Sequence, residues 1–169
     1  IIVGIDSLKA ECGKKKKTVA AKTIGHDFYR EVEEKVYVPL AEAMRMHICW
    51  GNYEGPHNHD IPLADILPLL LDAQVGWLVL PFANPRHAHE YRLLADLPPT
   101  MGVVAGVIET THNYIEHPQV VADRIDRVLD VMGDASRLQA GTDCGFATFA
   151  GLGDVAAEVA WEKLRSLVT

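Results

Sequence analysis

The chain has 169 residues, with 16 Lys and Arg against 23 Asp and Glu, for a net charge of −7. Apolar residues make up 49% and charged residues 23%, ordinary globular proportions, and this length supports about one domain with its own core. The acidic balance argues against nucleic acid or an anionic membrane surface as partner, since those are met by basic stripes, and no apolar run approaches the ~18 residues of a membrane helix.

The opening Ile1-Ile2-Val3-Gly4 carries no basic segment, so no secretory leader is expected. Three cysteines at irregular spacing do not make a disulfide framework. Both features predict a cytoplasmic, reducing environment. Residues 1–43 are heterogeneous and read as an atypical N-terminal segment, with the run Lys14-Lys15-Lys16-Lys17 as a solvated loop or helix edge. Within it, Phe28, Val32, Val36 and Leu40 recur every four positions, which predicts an amphipathic helix over 28–43 disturbed in its last turn by Pro39.

A regular alternation of elements fills residues 44–169. The spacing predicts a strand over Met46–Trp50, a turn-rich loop over 51–56, and a helix over Pro62–Ala73. Val75–Leu80 and Val103–Ile108 lack polar alternation, as strands buried on both faces do, and a helix over Arg86–Ala95 separates them. Pro118–Met132 is a helix with Pro118 in its first turn and Gly133 at its C-cap. A strand over Leu138–Thr142 and a helix over Val155–Val168 complete the series. Strands alternating with helices predict a parallel α/β sheet. Four such units are half of a (β/α)8 TIM barrel. A half barrel leaves open strand edges, so self-association or a missing barrel half is expected.

His47 and Cys49 are two apart on the first strand and share a face, and Cys144 follows the fourth strand 95 residues after Cys49. Parallel strands bring all three to the C-terminal sheet edge, where sites of such folds are built. One imidazole and two thiolates suit Zn2+, and three protein ligands leave a position open for chemistry. The same three residues also fit an ordinary core. Cys12, among lysines, is a bystander. Six further histidines, His57, His59, His87, His89, His112 and His117, fall in loops at one end of the sheet. Of these His112 directly follows a strand, where it can exchange a proton near neutral pH. Arg86 suits an anionic group, while Asn84 suits either substrate binding or a helix cap.

Several segments together resemble the cobalamin-independent methionine synthase family. These are Met46 to His57, Asn84-Pro85-Arg86-His87, Gly106-Val107-Ile108 with Asn113 and Glu116-His117-Pro118, and Ala140 to Phe146 with Asp143-Cys144-Gly145. The resemblance extends over about residues 44–168 and is strongest to the short bacterial branch, which includes epoxyalkane:coenzyme M transferases. It implies a barrel domain in which zinc, held by His47, Cys49 and Cys144, activates a homocysteine-like thiol. That thiol takes a methyl or alkyl group from a methyltetrahydrofolate-like donor. His112 stands where the synthases' acid histidine would, and Asn84, Arg86, Glu109 and Asp143 are the expected substrate-binding residues. Three departures accompany the resemblance. Pro81 stands at the place of the family's glutamate ligand, leaving Glu54, His57, His59, water or the substrate to fill the fourth position. No acidic substrate-binding motif precedes His47, and residues 1–43 do not align with the family. An inactive metal-binding half barrel is therefore the competing reading.

Overall fold

The computed structural model describes residues 38–147 and 153–169. The lysine run, Cys12 and positions 28–37 of the expected first helix lie outside the described residues. Residues Ala41–Thr169 form one compact unit. Helix α1 (Val38–Ala43) leads into β1 (Arg45–His47), α2 (Leu63–Leu71) and β2 (Trp77–Pro81). A 3₁₀ helix (Glu90–Asp96), β3 (Gly102–Ile108), α3 (Pro118–Met132), a 3₁₀ turn (Ala135–Arg137), β4 (Leu138–Thr142) and α4 (Ala157–Val168) follow. The four strands are all parallel and lie in chain order β1-β2-β3-β4. Consecutive parallel strands with helical crossovers make this an α/β half barrel, as the alternation of elements predicts.

The core lies where the sheet meets its helices. Leu78 and Leu80 of β2 and Val103, Ala105, Val107 and Ile108 of β3 are fully buried. Val121, Val128 and Met132 close the same core from α3. The apolar strands expected from the sequence are the two central ones, so among the described residues the sheet edges fall to β1 and β4. Arg45 and His47 of β1 and Gln139 and Ala140 of β4 are exposed. Gly76 permits the tight entry into β2, because a Cβ there would meet the Glu42 carbonyl oxygen at 1.9 Å.

Helix α3 has the predicted bounds. His117 Nδ1 accepts a hydrogen bond from the Gln119 N–H at 3.1 Å, and Gly133 ends the helix in the left-handed region at φ 67°. Two elements differ from expectation. β1 ends at His47, so Cys49 sits just beyond the strand, although the Ile48 N–H still reaches the Val79 carbonyl. The segment 86–95 is a turn followed by a 3₁₀ helix rather than an α-helix. His87 and Glu90, and again Leu94 and Leu97, point inward at a spacing of three, which suits 3₁₀ geometry.

Candidate metal centre and adjoining cleft

Three loops meet at the C-terminal edge of the sheet. His47 closes β1, Cys49 follows it, and Cys144 lies two residues past β4. His47 Nε2 is 3.3 Å from Cys144 Sγ, and the two sulfurs are 3.1 Å apart. A zinc tetrahedron has S···S edges of roughly 3.8 Å and S···N edges of roughly 3.5 Å, from bonds of ~2.3 and ~2.0–2.1 Å. The donor set fits once the sulfurs open by about 0.7 Å. Around it, the Gly51 N–H donates to Cys49 Sγ at 3.3 Å, and Thr142 Oγ1 donates to the Cys144 carbonyl at 2.7 Å. Asn52 gives Nδ2–H to the Gly145 carbonyl and accepts from Thr110 Oγ1, each at 2.8 Å, tying the loops after β1, β3 and β4 together.

The two thiols divide the work of ionising. Hydrogen bonds from Cys144 and then His47 outweigh burial and draw the Cys49 thiol down to about 4. The same contact with Cys49, reinforced by burial, pushes Cys144 up, so one proton is shared across the sulfur pair. A cation that displaced this proton would gain a second thiolate ligand.

Among the described residues no other His, Cys, Asp or Glu donor joins this set. Pro81 lines a small pocket with Cys49 and Cys144, and its side chain offers no ligating atom. Glu54 instead lies with Oε1 3.5 Å from His112 Nε2, and exposed His59 pairs through Nε2 with Asn58. His57 uses Nδ1 toward Asp60 at 2.6 Å and donates from Nε2 to the Tyr53 carbonyl at 3.2 Å.

Four of the five remaining expected site residues border a cleft of about 210 Å³ that shares Asn84 and Glu109 with the wall of the sulfur pocket. Asn84, Arg86, Glu109 and His112 line it, together with Tyr53 and Glu54. Asn84 also acts as a local cap, its Oδ1 accepting from the Arg86 N–H at 2.9 Å. His112 donates from Nδ1 to Glu109 Oε2 at 3.0 Å, which turns Nε2 toward Glu54. Burial works against the Glu109 carboxylate. Hydrogen bonds from Thr111, then His112, more than offset this and hold it below its usual range. Asp143 is buried, and its two oxygens accept the N–H groups of Ala83 at 3.0 Å and Asn84 at 2.7 Å. Burial nevertheless pushes its carboxyl up to about 7. It therefore joins the end of β4 to the loop after β2.

A second cluster draws in two of the loop histidines, His57 and His87, together with Asp60. Asp60 Oδ2 lies between His57 Nδ1 and His87 Nε2, and Glu90 holds His87 Nδ1 at 2.7 Å. Burial opposes the charge on Asp60, but hydrogen bonds from His87 and His57 hold its carboxyl below the usual range. The i,i+3 pairs His57/Asp60 and His87/Glu90 are the only local signal. Nothing in the sequence pattern pairs the two loops.

Neither a protein-family model nor a curated protein matches the chain. Among solved structures it is similar to a B12-independent methionine synthase from Shewanella sp. W3-18-1, solved in complex with selenomethionine. That likeness has a TM-score of 0.59 and 21% identity, and it covers 82% of this chain and 42% of the synthase. It establishes a shared half-barrel fold, and the chain spans less than half the length of that protein.

Proposed function

We propose that this chain is the zinc-binding half of a methionine-synthase-type barrel and serves the transfer of a methyl or alkyl group to a small thiol. The observation that carries the reading is the convergence of His47 Nε2, Cys49 Sγ and Cys144 Sγ within bonding reach of one ion. Bound zinc would supply Lewis-acid chemistry, keeping a substrate sulfur as thiolate at neutral pH, where a free thiol of pKa ~8.5 is mostly protonated. The selenomethionine in the neighbouring synthase supports a homocysteine-like thiol and a methyl acceptor role.

The chain's own residues account for the rest. Arg86 and Asn84 offer donors to an anionic group entering the cleft. Asp143 fixes the backbone of Asn84, and Glu109 orients His112 so that Nε2 carries the exchangeable proton. His112 hands that proton to the departing atom of a methyltetrahydrofolate-like donor as the thiolate attacks the alkyl carbon. The exposed edge strands β1 and β4 support closure of the barrel by a second copy or by a separate half. We place the boundary of the zinc-binding domain at residue 44, with 1–43 as an accessory segment.

Pro81 favours one competing reading, an inactive half barrel that retains metal, and an epoxyalkane:coenzyme M transferase-like activity remains within the same chemistry. X-ray absorption on zinc-loaded protein tests the proposal. Homocysteine should raise the sulfur count from two to three and release about one proton. A methyl-transfer assay then separates enzyme from remnant. A sulfur count that ignores added thiol overturns the alkyl-transfer reading.

A further inference from the structure

We propose that His57 Nδ1, Asp60 Oδ2 and His87 Nε2 form a second site, for a first-row divalent transition-metal ion, separate from the sulfur centre. The Asp60 oxygen stands 2.6 Å from the first nitrogen and 2.9 Å from the second, and the three atoms share one small volume. Two imidazoles and one carboxylate on a common face are a recurrent ligand set for such ions. With metal–ligand bonds of ~2.0–2.1 Å, those separations correspond to ligand–metal–ligand angles of roughly 80° and 90°, near octahedral values.

The outer nitrogens argue for the same role. A ligating histidine almost always gives its other N–H to a fixed acceptor, which sets the tautomer and aims the lone pair. His57 gives Nε2–H to the Tyr53 carbonyl, and His87 gives Nδ1–H to Glu90 Oε2 at 2.7 Å. Glu90 is itself pinned, because its Oε1 accepts the Leu63 N–H at 2.7 Å. Both rings are also clamped by stacking, Tyr53 on His57 at 4.4 Å and Trp50 on His87 at 4.1 Å. His57 Nδ1 and His87 Nε2 thus converge on Asp60 Oδ2 in a nearly buried space, where a bound cation would take the place of the protons that bridge them.

The backbone adds an independent sign. Among the described residues His57 is the one non-glycine with positive φ, at 51°. Such a conformation is uncommon outside glycine, although histidine adopts it more readily than most residues, and it clusters at ligand clamps. Here it turns the ring toward Asp60. An ion at this point would fasten the loop after β1, which carries Cys49 and Trp50, to the segment after β2, which carries Asn84 and Arg86.

The test is a cobalt(II) titration of the full chain after chelator treatment, with bound metal counted and absorption recorded. Two equivalents are expected, of which one gives thiolate-to-cobalt charge transfer. The double variant Cys49→Ser/Cys144→Ser should lose that absorption and keep one equivalent. X-ray absorption of this variant should find only nitrogen and oxygen neighbours. Asp60→Asn and His87→Gln should lose the second equivalent and keep the charge-transfer band, and Glu90→Gln should weaken it 10–100-fold. A double cysteine variant that is folded by circular dichroism and binds no metal overturns the second site and leaves the sulfur centre standing. A second equivalent indifferent to Asp60→Asn and His87→Gln overturns it as well. Absence of the charge-transfer band with one equivalent still bound overturns the sulfur centre alone.

Discussion

Lys163 of α4 has no exposed surface, and its Nζ donates to Glu116 Oε2 at 3.0 Å. The same ammonium donates to the Glu109 carbonyl at 3.1 Å and lies 4.7 Å from the centre of the Tyr114 ring. Glu116 in turn accepts the Glu109 N–H through Oε1 at 2.9 Å. Through this pair the last helix holds the start of the loop that presents Glu109 and His112 to the cleft.

Removing one partner of a buried ion pair strands the other charge, at a cost of about 3–5 kcal/mol. Arg124, 3.7 Å from Glu116 Oε1, covers part of that charge. Lys163→Ala is therefore expected at the lower end, a loss of about 3 kcal/mol in urea unfolding. The double variant Lys163→Ala/Glu116→Ala should lose less than the two single losses added together. Additive losses would show that the two groups do not act as a pair.

Much of this fold was legible because it rests on local pattern. Pro118 and Gly133 delimit α3, and the unbroken apolar runs mark β2 and β3. The meeting of His47, Cys49 and Cys144 was also legible, since parallel strands leave few places for residues at their C-terminal ends. What escaped is contact between loops. Asp60 meets His87 only when the 57–60 and 87–90 segments are brought together, and the pairing of Lys163 with Glu116 joins residues 47 positions apart. The 3₁₀ helix escaped for a related reason, since His87 is held by Asp60, and Glu90 by the Leu63 N–H at the start of α2.

His112 is the expected proton donor. Its Nδ1–H is committed to Glu109, which leaves Nε2 for the reaction. A general acid contributes typically 10²–10⁴-fold. His112→Asn should lower turnover by that order and leave zinc content unchanged. Equal turnover in variant and parent would return His112 to the surface.

Glu109 links stability to acid. Its folded pKa lies below the unfolded value of ~4.3, so its contribution is fully present above that value and is lost as pH falls through the folded pKa. The stability difference between the parent and Glu109→Gln should be constant from pH 7 to about 5 and shrink below about 4. Thermal unfolding across this range measures it. A difference independent of pH would mean that the carboxylate charge contributes nothing.

Gly106 of β3 leaves room for the end of β4. A Cβ there would lie 2.3 Å from Asp143 Oδ1 and 2.8 Å from the Asp143 Cα, and backbone cannot rotate aside. Gly106→Ala should cost about 1–3 kcal/mol as overpacking. Because Cys144 is the next residue, zinc affinity should fall with it. Retention of parental zinc affinity would show that Cys144 adjusts independently of Asp143.

Pro81 bears on the coordination number of the proposed zinc site. It is buried at the end of β2, faces Gly106 in register, and lines the cavity that holds Cys49 and Cys144. Proline supplies no donor atom, so the proposed site has three protein ligands and an open place. Pro81→Glu introduces a carboxylate at that wall. X-ray absorption of the zinc-loaded variant should gain one oxygen neighbour at ~2.0–2.2 Å, and zinc should survive a higher chelator concentration than in the parent. Added homocysteine should still raise the sulfur count from two to three, because zinc can expand to five neighbours or release the weaker oxygen ligand. A shell identical to that of the parent would mean that position 81 faces away from the ion, and the open place would then belong to the cleft beside Glu54 and His112.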